Sequence, residues 1–306
     1  MVHLRKIFLK IFILLILIFI IDYAIGYGFN FLRDLALVKA PTKPITHNTI
    51  NRVNEQVLIM GNSRANHHYD PQVLTNSLNL SVYNCGRDGQ PFEYSVAMIH
   101  AVLKRYKPEI IVVDFEPTQF DSRNSKDFSV SELYPYYYSD SLFQKIILHE
   151  DANHRYKMIS KMYQNNSELI DLMKLFFLKY NVVNGYSPLA DKGYKFPHLN
   201  NVEYDTTAVI DIFKIELLNY CIRICKANQV KLVFSISPRF QKSNMMDLKS
   251  SKVLSSIFNE NNIPLIDMRD NSVINDSSMY KDGAHLNHKG AVAFTRKFAN
   301  LVKYKI

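Results

Sequence analysis

The sequence predicts an α/β protein: a three-layer α/β/α arrangement around a parallel five-stranded sheet, with a helical insertion and an N-terminal transmembrane helix. Three observations carry this. Five short apolar runs alternate with helical patterns from residue 56 onward, the signature of strands joined by crossover helices. The third run, EIIVVDF at 109–115, is apolar on successive residues, as a strand covered on both faces requires. Residues 11–21, IFILLILIFII, form an unbroken apolar stretch near the N-terminus.

That stretch extends over 7–29 with only Lys10 and Asp22 charged. A helix rising about 1.5 Å per residue needs about 20 residues to cross a hydrocarbon layer of about 30 Å. Lys10 and Asp22 lie near its ends, where snorkelling or interfacial water makes a charge tolerable. Arg5, Lys6 and Lys10 flank its start, which keeps the N-terminus cytoplasmic and exports the rest. Residues 1–32 are therefore expected to be a cytoplasmic N-terminus and an uncleaved membrane anchor. The remainder would be extracytoplasmic, either periplasmic or at the cell surface. The rival reading is a cleaved signal peptide, for which Ala24-Ile25-Gly26 is a weak small-x-small site. Residues 33–55, with Pro41 and Pro44 among Thr and Asn, read as a linker.

The domain then runs over 56–306. A first strand at 56–60 ends at Gly61. A short helix at 71–78 follows, entered through Asp70 as N-cap with Pro71 in the first turn. Strand two is 80–84, and a helix at 91–106 sets Val96, Ile99, Val102 and Leu103 on one face. After the strand at 109–115 the order is helix 205–227, strand 230–235, helix 250–259, strand 263–267 and a closing helix 287–302. Residues 117–204 exceed what a minimal domain needs. They hold Tyr134, Tyr136, Tyr137 and Tyr138 around Pro135, then helical patterns at 141–149 and 155–180. A structureless loop of that length is out of keeping with a compact domain, so they read as a helical insertion over the sheet's carboxyl edge.

The charge balance excludes several functions. Lys and Arg number 37 against 28 Asp and Glu, a net of +9. The first 40 residues contribute +3, from Arg5, Lys6, Lys10, Arg33 and Lys39 against Asp22 and Asp34. No block of five or six like charges, zinc-finger spacing, GxGxxG or GxxxxGKS/T occurs, so nucleic acid is not an expected partner. No cofactor or metal is expected, because His285 and His288 lack a convincing set of further ligands. Cys85, Cys221 and Cys225 are too few, and odd in number, for a disulfide framework. Cys221 and Cys225 share a helix face and read as core thiols.

Ligands of open α/β sheets bind beyond the carboxyl ends of the strands. Three segments occupy that edge. Gly61-Asn62-Ser63-Arg64 follows the first strand and presents a hydroxyl at a strand-to-helix turn. Asn84-Cys85-Gly86-Arg87-Asp88-Gly89 follows the second, where glycine lets backbone approach a ligand. Asp282-Gly283-Ala284-His285 follows the fifth, pairing an imidazole base with a carboxylate that can hold its tautomer. The spacing alone says little, because Asp151-Ala152-Asn153-His154 repeats it inside the insertion. Around these segments, Arg64 and Arg87 read as structural or surface pairing, with holding an anionic substrate group as the alternative, and His67 and His68 read as supporting hydrogen-bond partners. The Tyr136–Tyr138 run reads as packing of the insertion, with stacking on sugar rings as the alternative. Asp114 and Glu116 read as plain edge polar groups.

Together the three segments resemble the SGNH (GDSL-like) hydrolase superfamily over about 57–116 and 205–303. The phrase GNSRANHHYDP followed by YNCGRDG looks like the membrane-anchored bacterial members that serve cell-surface polysaccharide O-acylation or deacylation. The resemblance implies a flavodoxin-like fold, Ser63 as nucleophile, His285 as base, Asp282 as orienting acid, and the amides of Ser63 and Gly86 as oxyanion donors. Two departures stand out. Asn62 replaces the common Asp before the serine, and the usual Gly-x-Asn-Asp after strand three is absent. That segment reads Asp114-Phe115-Glu116-Pro117-Thr118-Gln119, so Gln119 is the candidate substitute amide. Arg64, Asn62 and Gln119 are the candidate substrate-binding groups.

The expected function is an exported, membrane-anchored serine acyl-ester hydrolase or O-acyltransferase working through an acyl-Ser63 intermediate. Its expected partners are a cell-surface polysaccharide or other acylated substrate and, for transfer, a multispanning membrane acyltransferase. The alternative is a catalytically weak glycan-binding or assembly subunit supporting such an acyltransferase. A third idea is anionic-polymer binding through basic surface alone.

Overall fold

The computed structural model describes residues 2–39, 44–122, 129–177, 182–191, 201–269 and 276–305. In chain order they form α1 (Val2–Lys39), α2 (Ile45–Asn51), β1 (Val57–Met60), α3 (Ser63–His68), α4 (Pro71–Leu78), β2 (Val82–Asn84), α5 (Phe92–Leu103) and β3 (Ile110–Asp114). There follow α6 (Ser141–Glu150), α7 (His154–Lys157), α8 (Lys161–Phe177), α9 (Ile212–Ala227), β4 (Lys231–Ile236), α10 (Lys249–Asn261), β5 (Leu265–Asp267) and α11 (His288–Lys305). Two compact units result, one of residues 1–44 with 130–180, the other of 45–129 with 181–306.

The larger unit carries the sheet. All five strands are parallel, in the order β2-β1-β3-β4-β5. Alternate residues of each strand point to opposite faces. Val57, Ile59, Ile110, Val112, Val233 and Ile266 join Leu74 of α4 and Phe294, Phe298 and Val302 of α11 in one core layer. The intervening Leu58, Met60, Ile111 and Val113 are equally buried and serve the face packed by α5 and α9. Cys221 and Cys225 lie buried there as free thiols. Because β1 is flanked by both β2 and β3, the chain reverses its winding direction at β1. Such a switch point opens a crevice at the strands' carboxyl ends.

The smaller unit pairs α1 with α8. Residues 3–21 of α1 are exposed on every side. Beyond them Phe29, Arg33, Ala36 and Leu37 recur at helical spacing and are buried. His3–Val38 is a single helix long and apolar enough to cross a membrane, consistent with a signal anchor or a signal sequence.

Three boundaries differ from those read in the sequence. Residues 33–39, expected in the linker, continue α1, because the buried stripe after Asp22 gives that turn of helix a packing partner. Residues 45–51 form α2, whose Ile45, Thr46, Asn48 and Thr49 are buried and whose Thr46 hydroxyl meets Tyr94 Oη at 2.9 Å. The rest of the expected linker at 40–43 lies outside the described residues, as do 123–128, 178–181 and 192–200 of the expected insertion. Of that insertion, 130–180 groups with α1, whereas 117–122, 182–191 and 201–204 belong to the sheet unit. Asp121 pairs with Ile210 there, and Val202 with Ser243.

Candidate active site

β1 ends at Met60 and the chain turns into α3 within two residues. Gly61 takes φ +144°, and a Cβ there would come within 2.5 Å of Asp114 O and 2.8 Å of Ala65 Cβ. Only glycine fits both the backbone angle and the space. Asn62 caps α3, its Oδ1 accepting from Arg64 N at 3.0 Å. Ser63 is thereby the first residue of α3, so its amide is one of those that helix geometry leaves without an intrahelical acceptor.

The Ser63 hydroxyl lies 2.8 Å from His285 Nε2, although 222 positions separate the two residues. His285 Nδ1 lies 3.0 Å from both carboxylate oxygens of Asp282. Asp282 Oδ1 also accepts from the amides of Ala284 (2.8 Å) and His285 (2.9 Å). Burial raises the Asp282 pKa, but these amide and imidazole bonds outweigh it and hold the carboxyl below its ordinary value. An ionised carboxylate only accepts, so Nδ1 carries a proton, and Nε2 is the ring nitrogen that faces the Ser63 hydroxyl. The three residues thus form a hydroxyl–imidazole–carboxylate chain with each bond at ordinary length.

Two neighbouring histidines brace this chain. His68 closes α3 and is fully buried. Its Nε2 accepts from the Leu286 amide at 3.0 Å, which fixes the proton on Nδ1, and Nδ1 meets Ser237 Oγ at 3.0 Å. Ser237 Oγ donates onward to Asp114 Oδ2 at 3.1 Å. Burial, with the charges of Arg64, His285 and His67, pushes the His68 pKa well below that of a free imidazole. His68 is therefore a neutral strut between the serine helix and the residue after His285. Thr295 Oγ1 adds a second tie from α11, donating to His68 O at 2.9 Å. His67 packs edge-on to His285 with ring centres 5.9 Å apart. Both His67 nitrogens face oxygens, Ser187 O at 2.6 Å and Asp88 Oδ2 at 3.2 Å.

Several groups weighed for binding have partners within the protein. Arg64 is held by acidic groups and carbonyls. Its side chain is buried, with Glu116 Oε1 at 3.1 Å, Asp114 Oδ2 at 3.8 Å and the carbonyls of Ser237 and Phe115 at 3.2 and 3.1 Å. Burial works against its charge, yet Glu116 and Asp114 outweigh it and hold its pKa above the usual value. Asp114 and Glu116 are accordingly not plain edge groups. Asp114 also accepts from Tyr69 Oη at 2.8 Å and Ser237 N at 2.9 Å, and Glu116 binds Arg239 at 2.8 Å. Burial lifts the Asp114 pKa above the ordinary carboxylate value despite those donors.

The Gly86 amide is not left for an oxyanion either. It donates to Asn84 Oδ1 at 2.9 Å, while Asn84 Nδ2 donates to the carbonyls of Ala65 and Tyr69. Glycine is needed at 86 because a Cβ would strike the Asn66 amide and Ala65 on α3. Gln119 Oε1 accepts from Glu116 N at 3.5 Å, closing the capping box of the 3-10 turn Pro117–Phe120; the NH2 group that an oxyanion would need is not the atom this bond uses. Asn62 keeps only its NH2 group for a ligand, since its oxygen is the α3 cap.

One participating segment carried no signal in the sequence. Residues 182–191 lie along the serine helix and the start of α11: Asn184 O accepts from Asn84 N at 2.8 Å, Asn66 O from Ser187 N at 3.2 Å, and Leu189 O from His288 N at 2.9 Å. They line a cleft of about 520 Å³ with Asp70, Gln72 and His288. Among the described residues no group of three or more His, Cys, Asp or Glu converges as metal ligands would.

No protein-family model and no curated protein matches the chain. Among solved structures it is similar to a protein assigned to the G-D-S-L lipolytic family from Desulfitobacterium hafniense, at 12% identity and TM-score 0.40, over 81% of this chain and 99% of that one. It is also similar to a protein assigned as an acylhydrolase from Bacteroides fragilis, at 13% identity and TM-score 0.41, over 86% of this chain and 93% of that one.

Proposed function

We propose that this chain is a serine acyl-ester hydrolase or O-acyltransferase. The carrying observation is the 2.8 Å contact of Ser63 Oγ with His285 Nε2, backed by Asp282 on Nδ1. As Ser63 Oγ attacks an ester carbonyl, its proton passes to Nε2, and Asp282 stabilises the imidazolium. The ring then gives that proton to the leaving alkoxide, and an acyl-Ser63 remains. In the second half His285 takes a proton from water, giving hydrolysis, or from a glycan hydroxyl, giving transfer. The Ser63 amide at the start of α3 is positioned to meet the oxyanion. A cell-surface polysaccharide is the proposed acylated partner, and α1 is proposed as an uncleaved anchor with a cytoplasmic N-terminus. Both extend the motif resemblance and the basic flank Arg5, Lys6 and Lys10.

The test is a fluorophosphonate probe with aryl acetate turnover. Ser63 should be labelled, and Ser63→Ala should lose both label and turnover. Absence of labelling, with turnover unchanged in Ser63→Ala, would sink the reading.

A second reading is favoured by the loss of oxyanion donors: the Gly86 amide is taken by Asn84, and residues 115–119 directly after β3 hold no Asn. An oxyanion site missing one donor typically loses about 10²–10³ in rate. On this reading the chain is a glycan-binding or assembly subunit for a multispanning acyltransferase. Surface-polymer acylation in cells carrying Ser63→Ala separates the two, since only the second reading leaves it intact.

A further inference from the structure

Asp22 ends the unbroken apolar run of α1 and does not face water alone. Its carboxylate accepts from Ser160 Oγ at 2.5 Å, Lys161 N at 2.6 Å and Met162 N at 3.2 Å. It therefore caps the N-terminus of α8 from a different helix. Its height along α1 matters. Counting about 20 residues from Ile7 for a hydrocarbon crossing reaches Gly26, roughly 6 Å beyond Asp22. Whatever binds Asp22 must then lie at the membrane boundary. The segment that binds it is unusually apolar for a protein surface: Tyr156, Ile159 and Met162 are 68%, 54% and 47% exposed. Tyr138, also exposed, joins the same group through Oη to Met158 O at 3.3 Å, with the Lys161 ammonium 5.2 Å from its ring centre. Arg155 and Lys157 stand in the same turn, Lys157 with Asp151 at 2.8 Å.

We propose that residues 155–162, with Tyr138, form a second membrane contact that seats in the phospholipid interface beside the anchor. This rests on the reading of α1 as a membrane span. Ile159 directly precedes the Asp22 contacts and Met162 is the last of them; both side chains enter the acyl boundary. Tyr138 and Tyr156 take the headgroup level, where rings with a polar tip are favoured. Arg155 and Lys157 complement anionic headgroup phosphates. The bonds of Asp22 to a hydroxyl and two amides keep a carboxylate satisfied where water is scarce. A plain tether would need none of these features.

The test uses the full chain in vesicles of phosphatidylethanolamine and phosphatidylglycerol. Single cysteines at Tyr156→Cys, Ile159→Cys and Met162→Cys carry a fluorophore; Cys85, Cys221 and Cys225 are buried and stay unlabelled. Phe12→Cys reports on the anchor itself. Lipids bearing a nitroxide near the headgroup should quench the labels at 159 and 162 at least threefold more than aqueous iodide does. If iodide quenches them and the lipid nitroxide does not, while the Phe12→Cys label is reached by nitroxide placed deep in the chains, the second contact is overturned and the anchor stands. If the Phe12→Cys label also escapes lipid quenching, the span itself fails and the proposal falls with it.

Discussion

Asp151-Ala152-Asn153-His154 and Asp282-Gly283-Ala284-His285 share one spacing and differ in everything the spacing does not fix. In the second, both oxygens of Asp282 sit 3.0 Å from His285 Nδ1, and the opposite nitrogen meets Ser63 Oγ. In the first, His154 Nε2 is 3.7 Å from Asp151 and 3.4 Å from Tyr134 Oη, and its Nδ1 is buried with no hydrogen-bond partner. The Asp151 carboxylate turns instead to Lys157 Nζ and the Asn153 amide. The His154 ring packs edge-on to Tyr134 and Tyr163. A carboxylate three residues before a histidine thus makes a dyad only when two conditions hold. The turn between them must aim the carboxylate at the ring, and a distant element must bring a hydroxyl to the ring's other side.

The largest break of this contrast is Ser63→Ala, which should lower kcat/KM on aryl acetates by about 10⁴–10⁶-fold with KM little changed. Asp282→Asn comes next, at about 10²–10⁴-fold in kcat, because the amide no longer fixes the proton on Nδ1. Its counterpart Asp151→Asn should leave kcat within about twofold; a comparable loss would mean that the first copy is the working one. His68→Ala should cost about 2 kcal/mol in denaturant unfolding by orphaning the Leu286 amide. It should also slow fluorophosphonate labelling of Ser63, since the strut to the His285 loop is gone. The smallest effect is in acid. The Lys157 contact and the Asn153 amide hold the Asp151 pKa down to about 2, so these bonds favour the folded state above the unfolded value of about 3.9 and are lost as pH falls through about 2. Asp151→Asn should therefore flatten the pH dependence of unfolding between about pH 4 and pH 2, with a small, pH-independent loss of stability above that range and none below it.

The strands were readable because a covered parallel strand must be apolar on both faces, and 110–114 lies wholly within the run chosen from sequence. The serine turn and the last Asp-x-x-His were readable because each follows a strand end. For Arg64, pairing in general was readable but its partners were not, because Asp114 and Glu116 lie some 50 positions away on β3 and just after it. Nor was the loss of the Gly86 amide, which depends on the rotamer of Asn84 two residues earlier. The helical half of α1 beyond Asp22 was in principle visible in the spacing of Phe29, Arg33, Ala36 and Leu37, but prolines at 41 and 44 drew the boundary too early. Segment 182–191 works through backbone carbonyls, which any sequence can supply.

The gap of 222 positions between Ser63 and His285 also has a meaning in time. Ribosomes add roughly 5–20 residues per second, so the serine is made roughly 10–45 s before the histidine it meets. Throughout that interval the hydroxyl lacks its imidazole neighbour, and α11 has yet to be synthesised. On the proposed function, a chain halted between the two residues would carry the serine and lack its base, so activity would wait on the arrival of the segment that holds Asp282 and His285.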